Sequence, residues 1–291
     1  PLSERENYGY YALIGRMNNF EYYNRSVSGH KTSQLLRYLK REDESAMRTR
    51  YLIQNADILH ISILGNDILQ SKFETMVVQA AQNKFTLIDS ILTGTRADFR
   101  NVVETLKEYN PDALIIFQTV YNPGDGNTIL VRPETANTLA ELGVQPGGYR
   151  ELTKKLLDRL NGILYEYLEA NPGAYIIADV NSAYDNVYKQ NRAKGNRLIY
   201  PDWVHPSNEG HAMHALVTQK ILLEKGYGNP NYADVYRQIR LEQLDRMYKN
   251  IPNYLAIRSS IEQAATYEEI SAAYFDSIYG KTPDYTGKGE A

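Results

Sequence analysis

Three apolar runs of strand length constrain this chain more than any other feature. They lie at 57–64 (DILHISIL), 113–120 (ALIIFQTV) and 174–180 (AYIIADV), and stretches with helical spacing separate them. Near-continuous apolarity marks a strand covered on both faces. Strands that alternate with helices imply βαβ units and a parallel sheet. Right-handed crossovers then place helices on both sides of that sheet, so the expected fold is α/β in three layers, α/β/α.

The remaining segments fit around that frame. A helix is predicted over 8–19, where Tyr11, Leu13, Ile14 and Met17 group toward one side, and a short strand over 22–27. Thr32 or Ser33 can cap a helix running through Leu35, Leu36 and Leu39, and 46–55 reads as helical. Further helices are predicted at 68–83, 96–109 and 149–170, the last ending before Asn171-Pro172-Gly173. Ser207 or Asn208 can cap a helix from 209 to 224. Beyond Gly226 the character changes. A break at Gly226-Tyr227-Gly228-Asn229-Pro230 leads to Tyr-rich helices at 231–249, 252–264 and 267–279 and then a polar tail. The expected organisation is an α/β domain over 1–225 with a helical extension over 226–291 packed on it.

Composition narrows the function classes. At 291 residues, 23% charged and 43% hydrophobic, the chain is ordinary globular material, long enough to bury a substantial core. A net charge of −3 and the lack of a Lys/Arg block argue against a nucleic-acid partner. No stretch approaches the roughly 18 apolar residues of a membrane span. The absence of cysteine removes disulfides, thiolate metal sites and a cysteine nucleophile. Tyrosine is abundant, 25 residues against six Phe and one Trp. Such amphipathic rings build cores and surfaces, and stacking on sugars is a second use.

The candidate functional residues fall where ligands bind in a parallel sheet, beyond the carboxyl ends of the strands. In Asp202-Trp203-Val204-His205-Pro206 a carboxylate stands three residues before a histidine. It can hold one imidazole nitrogen while the other faces a nucleophile as a base. Pro206 disfavours the α region at His205. Gly29 follows the 22–27 run, and Asn66 follows the 57–64 run. A turn glycine offers its N–H without steric obstruction, and a carboxamide offers a neutral donor, so both suit an oxyanion. Tyr121 and Asn122, in the loop after 113–120, and Trp203 are candidate substrate contacts. The plainer alternatives are a loop ion pair at Asp202 and His205, a turn glycine at Gly29 and a helix cap at Asn66.

Val27-Ser28-Gly29-His30-Lys31-Thr32-Ser33, Leu64-Gly65-Asn66-Asp67 and Asp202-Trp203-Val204-His205-Pro206 resemble three consecutive blocks of the SGNH (GDSL-type) hydrolases. Order and spacing match over 8–224. The Tyr121-Asn122-Pro123 loop resembles a bacterial branch that includes exported lipase/esterase-like proteins. The resemblance implies a flavodoxin-like form of the three-layer fold and a serine ester hydrolase that uses no metal or cofactor. It implies that His205 is the base, Asp202 its orienter, and Gly29 and Asn66 the oxyanion hole. It further implies a small-molecule ester, lipid or O-acylated sugar as substrate and an exported or cell-envelope location. The oligomeric state is left open.

Two positions depart from the family's pattern. Leu64 stands where a glycine is usual, which reads as a mild change in the turn. No Gly-Asp-Ser occurs in the 291 residues. The family places that motif, with the first strand of the sheet, ahead of the first helix, so an upstream segment is expected to supply both strand and nucleophile. Ser3, Ser26, Ser28 and Ser33 sit in no Gly-x-Ser-x-Gly elbow and are not expected to replace it. The rival reading is a scaffold or carbohydrate-binding protein that kept the fold and lost its nucleophile. His211 and His214 could bind metal with His205, but no carboxylate completes a set, and a packing or surface role is preferred. His60 reads as a hydrogen-bonded core residue, and Asp67 as a support for the Asn66 loop.

Overall fold

The computed structural model describes residues 4–279. Its first part holds α1 (Glu4–Tyr8), α2 (Tyr10–Asn18), α3 (Thr32–Lys40), α4 (Glu44–Gln54), β1 (Ile58–Ile61), α5 (Gly65–Leu69), α6 (Phe73–Ala81) and α7 (Thr86–Tyr109). Then come β2 (Leu114–Gln118), α8 (Pro133–Glu141), α9 (Tyr149–Ala170), β3 (Ile176–Ala178), α10 (Val180–Gln190) and α11 (Arg192–Arg197). The chain closes with α12 (Asn208–Glu224), α13 (Tyr232–Met247), α14 (Tyr254–Gln263) and α15 (Tyr267–Ile278). Two compact units emerge. One is Arg25–Ser182; the other joins the residues through Asn24 to the chain from Ala183 onward.

The Arg25–Ser182 unit carries a parallel sheet of three strands in the order β1-β2-β3. The register sets Leu59 beside Ile115, Ile61 beside Phe117, and Phe117 beside Ile177. Side chains alternate across a strand, so these residues share one face. That face packs into a core with Phe99, Val102 and Leu106 of α7 and Leu156, Leu160 and Leu164 of α9. Phe117 meets Phe99 edge-on at 5.0 Å and Tyr175 at 4.9 Å. His60, Ile116 and Ile176 point to the opposite face, where Ile116 is fully buried.

The two ends of the chain build the other unit. α2 buries Leu13 and Met17 and packs on α12 and α13. Among the last three helices, Tyr236 stacks on Tyr267 at 3.7 Å, and both are buried. The fully buried Arg240 guanidinium lies 4.8 Å from the Tyr236 and Phe275 rings and 5.4 Å from Tyr274. Arg197, also buried, pairs with Glu209 and with Asp276 at 2.5 Å. Much of the tyrosine excess therefore serves packing.

Four expectations are corrected. The 22–27 segment forms no strand, because no described strand pairs with it; the sheet holds only β1, β2 and β3. It is held instead by side chains: Arg25 Nε donates to Thr49 Oγ1 at 2.9 Å, and its Nη2 donates to Ser45 O at 3.2 Å. The 57–64 run shortens to four residues, each half-buried, since β1 is an edge strand among the described residues. The predicted helix at 68–83 is two helices, parted at Lys72, where φ is +57°. The one at 96–109 starts ten residues earlier, at Thr86. α8, α10 and α11 were not anticipated.

Candidate active site

The Gly29 turn and the Asn66 loop meet within the Arg25–Ser182 unit. Gly29 has φ +78°, a conformation that glycine adopts at no steric cost. The turn ends at Lys31, just before α3; its main-chain O accepts from the Gln34 amide at 3.0 Å, while its N–H donates to Gln34 Oε1 at 2.8 Å. Asn66 sits in the first turn of α5, and its Nδ2 donates to His30 O at 3.2 Å. Asp67 lies beneath both and is almost fully buried. Its carboxylate accepts from the Thr32 amide at 3.0 Å, the Thr32 hydroxyl at 2.8 Å and the Thr95 hydroxyl at 3.5 Å. Burial pushes its pKa up, against the lowering effect of the Thr32 bonds. Gln70, which sequence reasoning missed, donates from Nε2 to Gly29 O at 2.8 Å and to Asn66 Oδ1 at 3.2 Å.

Leu64, just before α5, has φ +84° and is 1% exposed. The substitution read from sequence as a mild change in the turn is therefore a leucine held in a glycine-favouring backbone region by its packing. The burial offsets a strain of about 1–3 kcal/mol.

Asp202 and His205 meet in the other unit. His205 Nδ1 stands 2.7 Å from Asp202 Oδ2, while Asp202 Oδ1 accepts from the amides of Val204 at 2.9 Å and His205 at 2.8 Å. The carboxylate is thus tied to its own loop before it holds the imidazole. Desolvation works to raise the Asp202 pKa, but the two amides and the imidazole outweigh it and leave it lowered. Both side chains reach solvent: His205 is 77% and Asp202 46% exposed. Half-buried Trp203 occupies a left-handed position, φ +62°, and its ring meets Tyr200 edge-on at 5.6 Å. Trp203 N donates to Ile199 O and Ser207 N to Leu198 O, both at 2.8 Å, which pins the loop at two points. Ser207 caps α12 by accepting from Gly210 N at 3.1 Å. At Gly210 a Cβ would stand 2.2 Å from Leu198 O, so the helix approaches the loop at glycine distance.

The other candidates settle as follows. Asn122 is buried and spends its side chain on its own loop and on α9: Oδ1 accepts from Gly124 N at 2.8 Å and Thr153 Oγ1 at 2.7 Å, and Nδ2 donates to Arg150 O at 3.0 Å. Tyr121 beside it is half-buried. The Tyr10 ring stacks on His211 at 5.9 Å and His214 at 5.4 Å. His60 is half-buried in β1, and desolvation pushes its pKa down to about 4. Ser28 belongs to the Gly29 turn and Ser33 to the first turn of α3; Ser3 lies outside the described residues.

Two comparisons bear on these groups. Residues 3–213 match the GDSL-like Lipase/Acylhydrolase family. Among solved structures, the chain is similar to the lipase Lip_vut3 from a goat rumen metagenome, with 20% sequence identity and a TM-score of 0.50. The likeness covers 76% of this chain and 86% of that one, and at such identity it is a likeness of fold. No curated protein matches the chain.

Proposed function

The chain belongs to the GDSL-like lipase/acylhydrolase family, and from that premise we propose that it is a serine-dependent hydrolase of carboxylic esters. The observation that carries this reading is the 2.7 Å contact between His205 Nδ1 and Asp202 Oδ2 in a loop that fixes the carboxylate through two amides. A histidine held this way keeps Nδ1 protonated and turns Nε2 outward as a base. The nucleophile is assigned to a serine upstream of residue 1. Its Oγ attacks the ester carbonyl as His205 Nε2 takes the hydroxyl proton. The C=O pair moves onto oxygen, and the Gly29 N–H and Asn66 Nδ2–H serve as donors to that oxyanion. Collapse breaks the C–O bond to the alcohol, which leaves with the proton from His205. Water then repeats the sequence on the acyl-serine and releases the acid.

The proposed chemistry uses no cofactor. It is placed in the 1–225 part of the chain, and the protein is assigned to the exported or cell-envelope class. Substrates fall among small esters, lipids and O-acylated sugars, which a chain-length series of esters would sort. The test is release of p-nitrophenol from its acetate by the full-length protein. His205→Ala should lower kcat by about 10³-fold or more. Turnover unchanged in that variant would remove the assignment.

A further inference from the structure

Two main-chain carbonyls decide how the Asn66 carboxamide must point. Gly29 O and His30 O can only accept hydrogen bonds. Gln70 Nε2 lies 2.8 Å from Gly29 O, and Asn66 Nδ2 lies 3.2 Å from His30 O. Turning either amide over would set oxygen against oxygen, so each has one allowed orientation. In that orientation Gln70 Nε2 also reaches Asn66 Oδ1 at 3.2 Å. The Asn66 oxygen is thereby occupied, one Nδ2 hydrogen goes to His30, and the second Nδ2 hydrogen is the donor an oxyanion would use. Gln70 ends α5, and Lys31 Nζ donates to Ser71 Oγ at 3.1 Å just beyond it, so its position is itself supported from the α3 side.

We infer that Gln70 is a positioning residue: by donating to both Gly29 O and Asn66 Oδ1 it holds the Asn66 carboxamide with nitrogen, not oxygen, presented for transition-state charge. The inference rests on the reading of Gly29 and Asn66 as an oxyanion hole. It is specific about chemistry, because what position 70 must supply is a donor. A carboxylate there would face two acceptors and draw the Asn66 nitrogen toward itself. An ammonium would serve both oxygens.

The experiment compares Gln70→Glu and Gln70→Lys in the full-length protein. Gln70→Glu should lower kcat on p-nitrophenyl acetate by about 10²-fold, the usual effect of losing one oxyanion donor, at unchanged KM and melting temperature. Gln70→Lys should stay within several-fold of wild type. Wild-type kcat in Gln70→Glu overturns the inference, and so does an equal fall in both variants, which a merely structural role would give. ¹⁵N relaxation of the Asn66 carboxamide, identified by its loss in Asn66→Asp, reads the same point without turnover. It should be rigid in wild type and Gln70→Lys and mobile in Gln70→Glu; equal mobility in all three overturns positioning. If wild type hydrolyses no ester, the proposed function fails on its own and the relaxation result still decides Gln70.

Discussion

Asp67 and Thr32 are joined by three hydrogen bonds across 35 residues of chain: the Thr32 amide reaches both carboxylate oxygens, at 3.0 and 3.3 Å, and the hydroxyl reaches one at 2.8 Å. Thr32 is fully buried and Asp67 nearly so. The pair therefore locks the start of α3 to the start of α5, and with them Gly29 to Asn66.

Asp67→Ala should cost about 2–3 kcal/mol, because it leaves a buried amide and hydroxyl unpartnered. A denaturant midpoint shift at unchanged slope measures this. A loss below about 0.5 kcal/mol would mean that the two loops are held by other contacts. Ester turnover should fall with it, since both oxyanion donors hang from these helix starts.

At Leu64 the usual ranking of small residues should invert. Leu64→Ala loses the buried side chain, typically about 2–5 kcal/mol, and keeps the strain of φ +84°. Leu64→Gly loses the same side chain but relieves the strain. Glycine should thus be the milder substitution by about 1 kcal/mol, although both are destabilising. Thermal or urea unfolding of the two variants decides it; alanine proving more stable than glycine would contradict the backbone assignment.

These residues show what a one-dimensional reading reaches. α9 is legible to its ends, because a single stripe through Leu152, Leu156, Leu160 and Ile163 runs the full length between Tyr149 and the Asn171-Pro172-Gly173 stop. Ser207 as a cap and Asp202 beside His205 are equally local, each a matter of three residues. The 22–27 segment looked like a strand, yet a strand exists only by pairing, which is a property of its neighbours. β1 was expected to be buried on both faces for the same reason. α8 was overlooked although Pro133 at its first position is a start signal, because it follows a loop rich in Gly and Asn. Gln70 carried no signal at all: its two acceptors come from 41 residues away and from one turn back. Leu64 was noticed as a departure, but its sign, packing bought at the expense of backbone strain, needed the dihedral.

Gly210 should tolerate no side chain. A Cβ there would meet Leu198 O at 2.2 Å, Tyr184 Oη at 2.5 Å and Pro206 Cβ at 3.1 Å. The first of these is main chain and cannot swing aside, so α12 or the Asp202–His205 loop must move. Gly210→Ala should lose about 1–3 kcal/mol despite the helix preference for alanine. A gain in melting temperature would show that the helix start sits farther from Leu198.

Asp202→Asn tests the tautomer argument. The carboxamide can keep the shape of the loop, but it no longer fixes Nδ1 of His205 as the protonated nitrogen. Ester kcat should fall by about 10⁴-fold while the melting temperature changes little, because both groups are exposed. A drop of less than tenfold would leave His205 to act without its orienter.

Glu74 gives the unit around the sheet an acid-sensitive clamp. Its carboxylate accepts from Arg132 Nε at 2.8 Å, Nη2 at 3.0 Å and the Arg132 amide at 3.2 Å, and from the Thr135 hydroxyl at 2.7 Å, tying α6 to the start of α8. The Arg132 side-chain bonds, with Thr135 and the amide, pull the Glu74 pKa down to about 2 against the opposing effect of desolvation. A carboxyl depressed in the folded state contributes stability that is present above its ordinary pKa, about 4.3, and is lost as pH falls toward 2. Arg132 is largely exposed, so solvent screening keeps the contribution small. Glu74→Gln cannot titrate. Wild type should exceed it in urea midpoint at pH 6, and the gap should narrow steadily as pH falls from 4.5 toward 2. A gap that stays constant over that range would mean the clamp does not depend on the charge of Glu74.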